Sequence, residues 1–231
     1  PSDAFGEPYK VFDQKRFIAR LPGPPYSFID RVIAAEPTAW VLEPDGWVQA
    51  EYDVNPEAWY FRSNRTPTMP FFVLLEAALQ TCGWLAAYMG SALQSEKDLK
   101  FRNLEGRGMI HQDLFADYQT LTMRARLKKV SKAGDIIIEM FDFQVLQANT
   151  MIYTGHTAFG FFTPEALAQQ KGIQSNDFYR PSSEEATAAS GFNFKDEPPL
   201  TPADLNTVSA SCLAMPSKAI RMIDRIGLYL P

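Results

Sequence analysis

Histidine and cysteine are scarce in this chain, with two of each among 231 residues. The cysteines, Cys82 and Cys212, lie far apart and form no disulfide framework, which fits a reducing cytoplasm. No cluster of histidine, cysteine and acidic residues has the spacing of metal ligands, so we expect no metal. A glycine-rich phosphate loop and a nucleophile-elbow motif are also missing from the sequence. These absences argue against metal, nucleotide and serine-hydrolase sites.

Basic segments are lacking as well. The net charge is −5 and the sequence pI is about 5.1, which argues against nucleic acid as a partner. The N-terminal residues have the character of neither a signal nor a transit peptide. Because the chain has no initiating Met and stops abruptly at Tyr229-Leu230-Pro231, we expect that it was cut from a longer polypeptide.

One long apolar stretch, residues 69–90, carries a single ionisable carboxylate, Glu76. A helix that is hydrophobic on every face belongs in a protein core or in a membrane. Pro70 and several polar residues interrupt the stretch, so we predict a core helix and no membrane span. A carboxylate in such a helix must be paired, protonated or functional, which makes Glu76 a candidate site residue.

Alternation of apolar and polar residues predicts strands on both sides of this helix. Before it, Trp40–Leu42 and Trp47–Val54 are expected to form a hairpin around a Pro-Asp-Gly turn. After it we predict a short strand and then a three-stranded antiparallel meander, over Lys100–Leu104, Leu121–Val130, Ile136–Leu146 and Met151–Phe162. The order indicates an α+β fold in which an antiparallel sheet wraps around one long buried helix.

A short motif occurs twice, as Phe28-Ile29-Asp30-Arg31-Val32 and as Met222-Ile223-Asp224-Arg225-Ile226. Chance is one explanation; the other is that a second copy of the same domain begins near residue 213. We therefore predict an N-terminal extension over 1–19, a domain over 20–163, a linker over 164–212 and the truncated start of a second module over 213–231.

Four segments together resemble the hot-dog 3-hydroxyacyl-ACP dehydratases. They are Phe28–Val32, Val54–Phe61 with the pattern Asn-Pro-x-x-Trp-aromatic-Phe, Met69-Pro70, and Leu75–Gln80 with its helical acid. The likeness is strongest to the tandem dehydratase regions of polyunsaturated fatty acid synthases. It implies the hot-dog fold and a part in dehydrating a 3-hydroxyacyl thioester.

The resemblance assigns roles to individual residues. The family's acid falls on Glu76, expected as the general acid, and its supporting glutamine falls on Gln80. The family's histidine falls on Asn64, whose amide does not titrate near neutrality and cannot act as the base. The family's glycine after Met-Pro falls on Phe71. We therefore predict a non-autonomous half-site in which Glu76 works with a histidine from the second copy of a tandem module; the alternative is that Glu76 is only a buried, hydrogen-bonded acid. The expected partner is a second hot-dog domain, in tandem or as a homodimer.

The resemblance also implies how the substrate arrives. An acyl carrier protein would deliver it on phosphopantetheine, and no other cofactor is expected. The predicted substrate contacts are Met69, Pro70, Phe71, Trp59 and Phe61, although core packing is the plainer reading of the aromatic residues.

A basic strip is the predicted carrier contact; its residues are Arg124, Arg126 and Lys128. The alternative is a solvated strand face. His111 and His156 lie elsewhere in the sequence and are expected to be structural. Two other functions stay open: a non-catalytic scaffold or carrier-binding module, and a hot-dog acyl thioesterase.

Overall fold

The computed structural model describes residues 1–172, 180–188, 190–209, 215–223 and 225–229. The chain divides into two compact units. The first comprises Pro1–Asn55 and Phe71–Gln169, and the second comprises the described residues of Pro56–Pro70 and Gln170–Pro231.

Eight strands occur in the described residues. They are β1 (Arg31–Glu36), β2 (Trp47–Val54), β3 (Lys100–Ile110), β4 (Gln119–Ala133), β5 (Ile136–Gln147), β6 (Thr150–Phe162), β7 (Ser190–Asn193) and β8 (Arg225–Tyr229). The first six form the sheet of the first unit in the order β1-β2-β4-β5-β6-β3, with every neighbouring pair antiparallel. The last two pair with each other in the second unit.

Seven α-helices accompany the strands in the described part of the chain. They are α1 (Ser2–Phe5), α2 (Val11–Gln14), α3 (Trp59–Asn64), α4 (Phe71–Tyr88), α5 (Pro164–Ala168), α6 (Ser183–Ala188) and α7 (Pro202–Leu205). Two 3-10 helices, Glu7–Lys10 and Ser91–Gln94, belong to the first unit.

Side-chain alternation explains the central strands. In β4 the side chains of Leu121, Met123, Ala125 and Leu127 are buried, while the basic residues between them point to the opposite, exposed face. The buried face packs against α4, which also contacts β2 and β5. The predicted meander is confirmed as β4-β5-β6, and the predicted α+β hot-dog fold, a sheet packed on one long helix, is confirmed with it.

The predicted hairpin before the helix is wrong in one strand. Trp40–Leu42 forms no strand, and β2 pairs with β1 instead. Polar contacts fix this pairing, because the Asp53 backbone N–H donates to Asp30 Oδ2 at 2.7 Å. The Arg31 guanidinium also contacts Glu51 Oε2 at 2.7 Å, across the strand pair. The first copy of the repeated motif is therefore the start of an edge strand.

Helix α4 is less uniformly buried than the sequence predicts. Its sheet-facing side is buried and includes Val73, Ala77, Cys82 and Leu85, all at most 1% exposed. On the other side, Glu76 is only partly buried, and Phe71 at the first position is 50% exposed. The helix ends as expected near Gly90, which adopts a left-handed φ of 83°.

By length and composition α4 is the one helix in the described part of the chain that would suffice to cross a membrane. Half of its residues are buried inside the fold, and the core helix of a folded domain has the same length and composition. These properties are therefore weak grounds for a membrane span.

The second unit contains short elements, some of them where the sequence predicted a linker. Helix α3 lies between β2 and α4, and it is joined to later residues by backbone hydrogen bonds. Leu200 N–H donates to Arg62 O at 3.0 Å, and Ser217 N–H donates to Ser63 O at 2.8 Å.

The second copy of the repeated motif is only partly described. Asp224 lies outside the described residues, but Arg225 begins β8, just as Arg31 begins β1. The predicted boundaries 1–19, 20–163, 164–212 and 213–231 stay a prediction.

Candidate functional site

Glu76 and Gln80 lie one turn apart on α4 and contact each other directly. The Gln80 side-chain amide donates to Glu76 Oε1 at 3.0 Å. Helical residues four positions apart share one face, so α4 itself places the two side chains together. The predicted support of the acid by Gln80 thus has a structural counterpart.

Gln80 also anchors the chain that enters β1. Its amide nitrogen donates to Tyr26 O at 2.8 Å, and its amide oxygen accepts from the Phe28 backbone N–H at 2.8 Å. The side chain is 2% exposed, so its polar atoms depend on these partners. Glu76 is therefore held by a buried amide that is itself fixed at both ends.

Tyr26 is the titratable neighbour of this pair. Burial and then the negative charge of Glu76 raise the pKa of the Tyr26 phenol above its ordinary value of 10.0. The phenol is therefore neutral near pH 7. Its ring stacks on Phe72 at a centroid distance of 6.4 Å, which joins the entry segment to the first turn of α4.

Glu76 and Gln80 line a cavity of about 560 Å³ within the first unit. Its volume lies in the range of small-molecule sites. The apolar walls come from α4, from β3 and β6, and from the N-terminal segment; they include Phe5, Ile18, Leu79, Trp84, Phe101 and Phe159. One carboxylate at the side of an apolar cavity is suited to binding an uncharged chain with one polar group.

Neither histidine of the sequence lines this cavity. His111 follows β3, and its Nε2 lies 2.9 Å from Thr154 Oγ1 in an exposed position. His156 is exposed on β6, in register with Arg107 on one side and Asp142 on the other. Both histidines lie outside the cavity, and their expected structural role stays a prediction.

Asn64, at the position of the family's histidine, ends α3 in the second unit. Its side-chain amide donates to Thr66 Oγ1 at 2.6 Å and to Thr68 O at 3.3 Å. Arg65, the next residue, has a left-handed φ of 60°. The Asn64 side chain therefore braces a tight turn in its own loop.

The predicted substrate contacts are divided between the two units. Trp59, Phe61, Met69 and Pro70 belong to the second unit, where Phe61 is fully buried and Met69 is 8% exposed. Phe71 belongs to the first unit, but it is not among the residues that line the cavity. Its ring packs edge-on against Tyr153 at 5.8 Å. Substrate contact by these five residues stays a prediction.

The predicted basic strip lies on the exposed face of β4. Arg124 Nε donates to Gln49 Oε1 at 3.0 Å. Asp45 lies 3.6 Å from Arg126 and 4.0 Å from Lys128. The strip is exposed to solvent, and Asp45 neutralises part of its positive charge.

Sequence reasoning missed the buried acid Glu139. It is 0% exposed, and neither carboxylate oxygen has a hydrogen-bond partner in the described structure. Burial raises the pKa of Glu139 to about 7, against smaller lowering effects of the nearby Ser91 hydroxyl and of the Lys132 charge. The Ser91 hydroxyl itself donates to Ala86 O at 2.8 Å, so it leaves the carboxylate unpaired. The signal was available, because Glu139 shares its strand parity with the buried Phe141 and Phe143.

Sequence reasoning also did not predict that the N-terminal segment forms part of the cavity wall. The sequence predicted only an extension there, whereas residues from Ala4 to Pro22 contribute to the lining.

Within the described residues, no group of three or more His, Cys, Asp and Glu is arranged to hold a metal ion. Cys82 is buried in α4, and burial raises the pKa of its thiol far above the ordinary value.

Comparison with curated proteins gives a relative among the polyunsaturated fatty acid synthases. Over 133 residues the chain is 31% identical to one of the polyunsaturated fatty acid synthase polypeptides of Thraustochytrium sp. (strain ATCC 26185 / S-3). The match spans 56% of this chain and only 9% of that much longer protein.

Solved structures resemble the chain at low sequence identity. The dehydratase heterocomplex ApeI:P from Xenorhabdus doucetiae is 16% identical with a TM-score of 0.49, covering 64% of this chain and 91% of that one. A thioesterase from Haemophilus influenzae is 10% identical with a TM-score of 0.39, covering 54% and 77%.

The FabA-like domain matches residues 21–156, which is more than half of the chain. This range contains five of the six strands of the first unit entirely, and it contains α4 with Glu76 and Gln80. The predicted relation to hot-dog dehydratases and to polyunsaturated fatty acid synthases is confirmed. The chain belongs to the family of FabA-like domains.

Proposed function

We propose that this domain supplies one half of a dehydratase site for 3-hydroxyacyl thioesters, with Glu76 as the general acid. The observation that carries the proposal is the position of Glu76, which lines an apolar cavity and is held there by Gln80. An uncharged acyl chain suits such walls, and the carboxyl group is the candidate to meet its polar end.

The reaction needs two groups. A base removes a proton from C2 of the thioester, the C2–C3 double bond forms, and the C3–O bond breaks. The hydroxyl group leaves as water when it takes a proton from the acid, the role that we propose for the Glu76 carboxyl group. The domain supplies no base at the cavity, because neither histidine lines it and Asn64 does not titrate.

The base therefore comes from a second hot-dog domain in tandem, because another copy of this chain would again carry Asn64 at the histidine position. The sheet offers a surface for that partner, because β3 is an outer strand that pairs only with β6 among the described strands. Its exposed apolar residues include Leu104, Met109 and Ile110, at 43%, 64% and 45% exposure. A long apolar edge strand is a template for pairing with another sheet.

Substitution of Glu76 by Gln in the longer polypeptide tests this function. Glutamine keeps the size and the hydrogen-bonding capacity of the side chain but cannot donate an acidic proton. We expect dehydration of a 3-hydroxyacyl carrier substrate to fall by about 100-fold or more, the size typical of lost general acid catalysis. Glu96→Gln is the matched control, because Glu96 is exposed and does not line the cavity.

Three outcomes separate the candidate reactions. Unchanged turnover in the Glu76→Gln variant would contradict the shared site. Dehydration by the present chain alone would contradict the need for a second domain. Release of free thiol without water loss would indicate the thioesterase reaction instead.

A non-catalytic scaffold is the second candidate, and the role of Asn64 favours it. Asn64 braces its own turn through Thr66 and Thr68 and has no group that titrates near neutrality. In a scaffold, Glu76→Gln would leave turnover unchanged, while disruption of the β3 edge would lower it by separating the domains.

Delivery of the substrate by an acyl carrier protein is part of the same proposal. Carrier proteins of this kind are acidic, and the strip of Arg124, Arg126 and Lys128 is the basic surface that we assign to them. Opposite charge on the two surfaces would favour encounter more than final affinity.

A further inference from the structure

The N-terminal segment, residues 1–22, lies along the cavity of the first unit. Ala4, Phe5, Ile18, Ala19 and Leu21 contribute to the lining. Residues 1–20 precede the part of the chain that matches the FabA-like domain. The family likeness therefore does not account for this wall of the cavity.

The segment is firmly seated on the first unit. Tyr9 and Phe12 are 0% and 3% exposed and form a buried cluster with Ala92. The Tyr9 hydroxyl donates to the Ala87 carbonyl of α4. Further along, the Phe17 backbone N–H donates to Asp98 Oδ1 at 3.1 Å. Contacts at two places, near its middle and near its end, hold the segment beside the helix.

Close packing at Gly6 fixes the first turn. Gly6 has a left-handed φ of 84°, and a Cβ atom there would lie 2.9 Å from the Trp40 ring. The Trp40 indole N–H donates to Phe5 O at 2.9 Å. The Phe5 ring in turn lies 5.6 Å from the Trp84 ring of α4. These contacts place Phe5 at the cavity, beside the helix.

Small residues on α4 leave space for the cavity between the helix and the N-terminal segment. Gly83 and Ala87 both line the cavity, and a Cβ atom at Gly83 would lie 3.2 Å from Leu21 Cδ2. The width of the cavity at this point is therefore set by two residues, one from the helix and one from the segment.

We propose that residues 1–22 form a built-in wall of the acyl site and limit the length of the chain that it accepts. This inference rests on the proposed function, since it takes the ligand to be the apolar chain of an acyl thioester. Most of the wall lies outside the region that matches the family, so the family likeness by itself does not imply it.

The test measures binding rather than turnover. Straight-chain 3-hydroxyacyl pantetheine thioesters of increasing length are titrated into the full chain by calorimetry. We expect the affinity to rise with chain length up to a limit. Ala4→Trp and Ala19→Trp enlarge exposed alanines that line the cavity, so each should lower that limit. The longest chain that the wild type accepts should bind about tenfold more weakly, the loss expected when about two methylenes leave the cavity.

Two further variants keep the test decisive. Leu21→Ala widens the same wall and should raise the limit. Ala133→Trp is the matched control, because Ala133 is exposed at the end of β4 and does not line the cavity. Thermal unfolding by circular dichroism checks that each variant is folded.

The proposal would be contradicted if folded Ala4→Trp, Ala19→Trp and Leu21→Ala variants accepted the same maximum chain length as the wild type. It would also be contradicted if no thioester bound the wild type. Neither result depends on Glu76. Conversely, a shifted limit combined with unchanged turnover of the Glu76→Gln module would retain the wall and contradict the role of Glu76 as the acid.

Discussion

The side-chain amide of Gln80 donates to Glu76 Oε1 at 3.0 Å and to Tyr26 O at 2.8 Å, so one buried side chain joins the candidate acid to the segment that enters the sheet. The acid is thus positioned by tertiary contacts as well as by the helix. Loss of this one amide should therefore affect both the fold and the site.

Gln80→Ala should lower the free energy of unfolding by about 2 kcal/mol, because it leaves the buried Phe28 N–H without its acceptor. It should also lower turnover of the full module, since Glu76 loses its positioning contact. Urea denaturation measures the first effect. Gln144→Ala, at an exposed position of β5, is the control and should change stability by less than about 0.5 kcal/mol. Equal stability of the two variants would contradict the anchoring role.

Glu139 should make stability depend on pH in the acid range. Burial raises its pKa from 4.5 to about 7, so the folded state holds a proton that the unfolded state has lost between these values. Stability should therefore fall by about 3 kcal/mol as the pH rises from 4.5 to 7, and then level off with respect to this group. Unfolding measured across this range checks the slope.

Glu139→Gln should remove that slope, because glutamine does not titrate. The comparison isolates Glu139 from the other carboxylates, which titrate in both proteins. Parallel stability curves for the variant and the wild type would show that Glu139 is not the responsible group.

Charge at the β3 edge should disrupt pairing with a second copy. Leu104→Lys or Met109→Lys places an ammonium group where an apolar edge would be buried, and should weaken self-association by about tenfold or more. Ile33→Lys is the matched control, because Ile33 is exposed to a similar degree, at 50%, but lies on β1 at the opposite edge of the sheet. Sedimentation equilibrium measures both. Equal weakening by both edges would argue against β3 as the pairing surface.

Charge reversal of the basic strip should weaken carrier binding. Arg124→Glu combined with Arg126→Glu should raise the dissociation constant for an acyl carrier protein by about tenfold at low salt, with a smaller effect at high salt. Lys15→Glu combined with Lys171→Glu changes the net charge equally at exposed sites elsewhere. Surface plasmon resonance at two salt concentrations separates a local contact from a general charge effect.

Much of the central fold could be predicted because its signals are local. The alternation in β4 and the apolar run of α4 each report which side of an element is buried, whatever it packs against. Glu76 could be singled out for the same reason, as the one carboxylate of that run. The resemblance then linked it to Gln80, and the structure shows the two in contact.

The partner of β2 before the helix could not be predicted in the same way. Alternation shows that β2 has a buried face, but it does not show whether β1 or Trp40–Leu42 lies beside it. The choice depends on Asp30, which accepts from the Asp53 backbone more than twenty residues away. The sequence pattern predicts that β3 ends at Leu104. The strand continues to Ile110 because it pairs with β6 along its length.

The sequence by itself determined the fold class, the central helix and its single acid, because periodicity and composition act within each element. Only the tertiary structure decided which surfaces enclose the cavity, that residues 1–22 supply one of its walls, and that Glu139 is buried without a hydrogen-bond partner in the described residues. These features arise where segments far apart in sequence meet. Whether a buried group there stabilises or destabilises the fold depends on the residues that surround it.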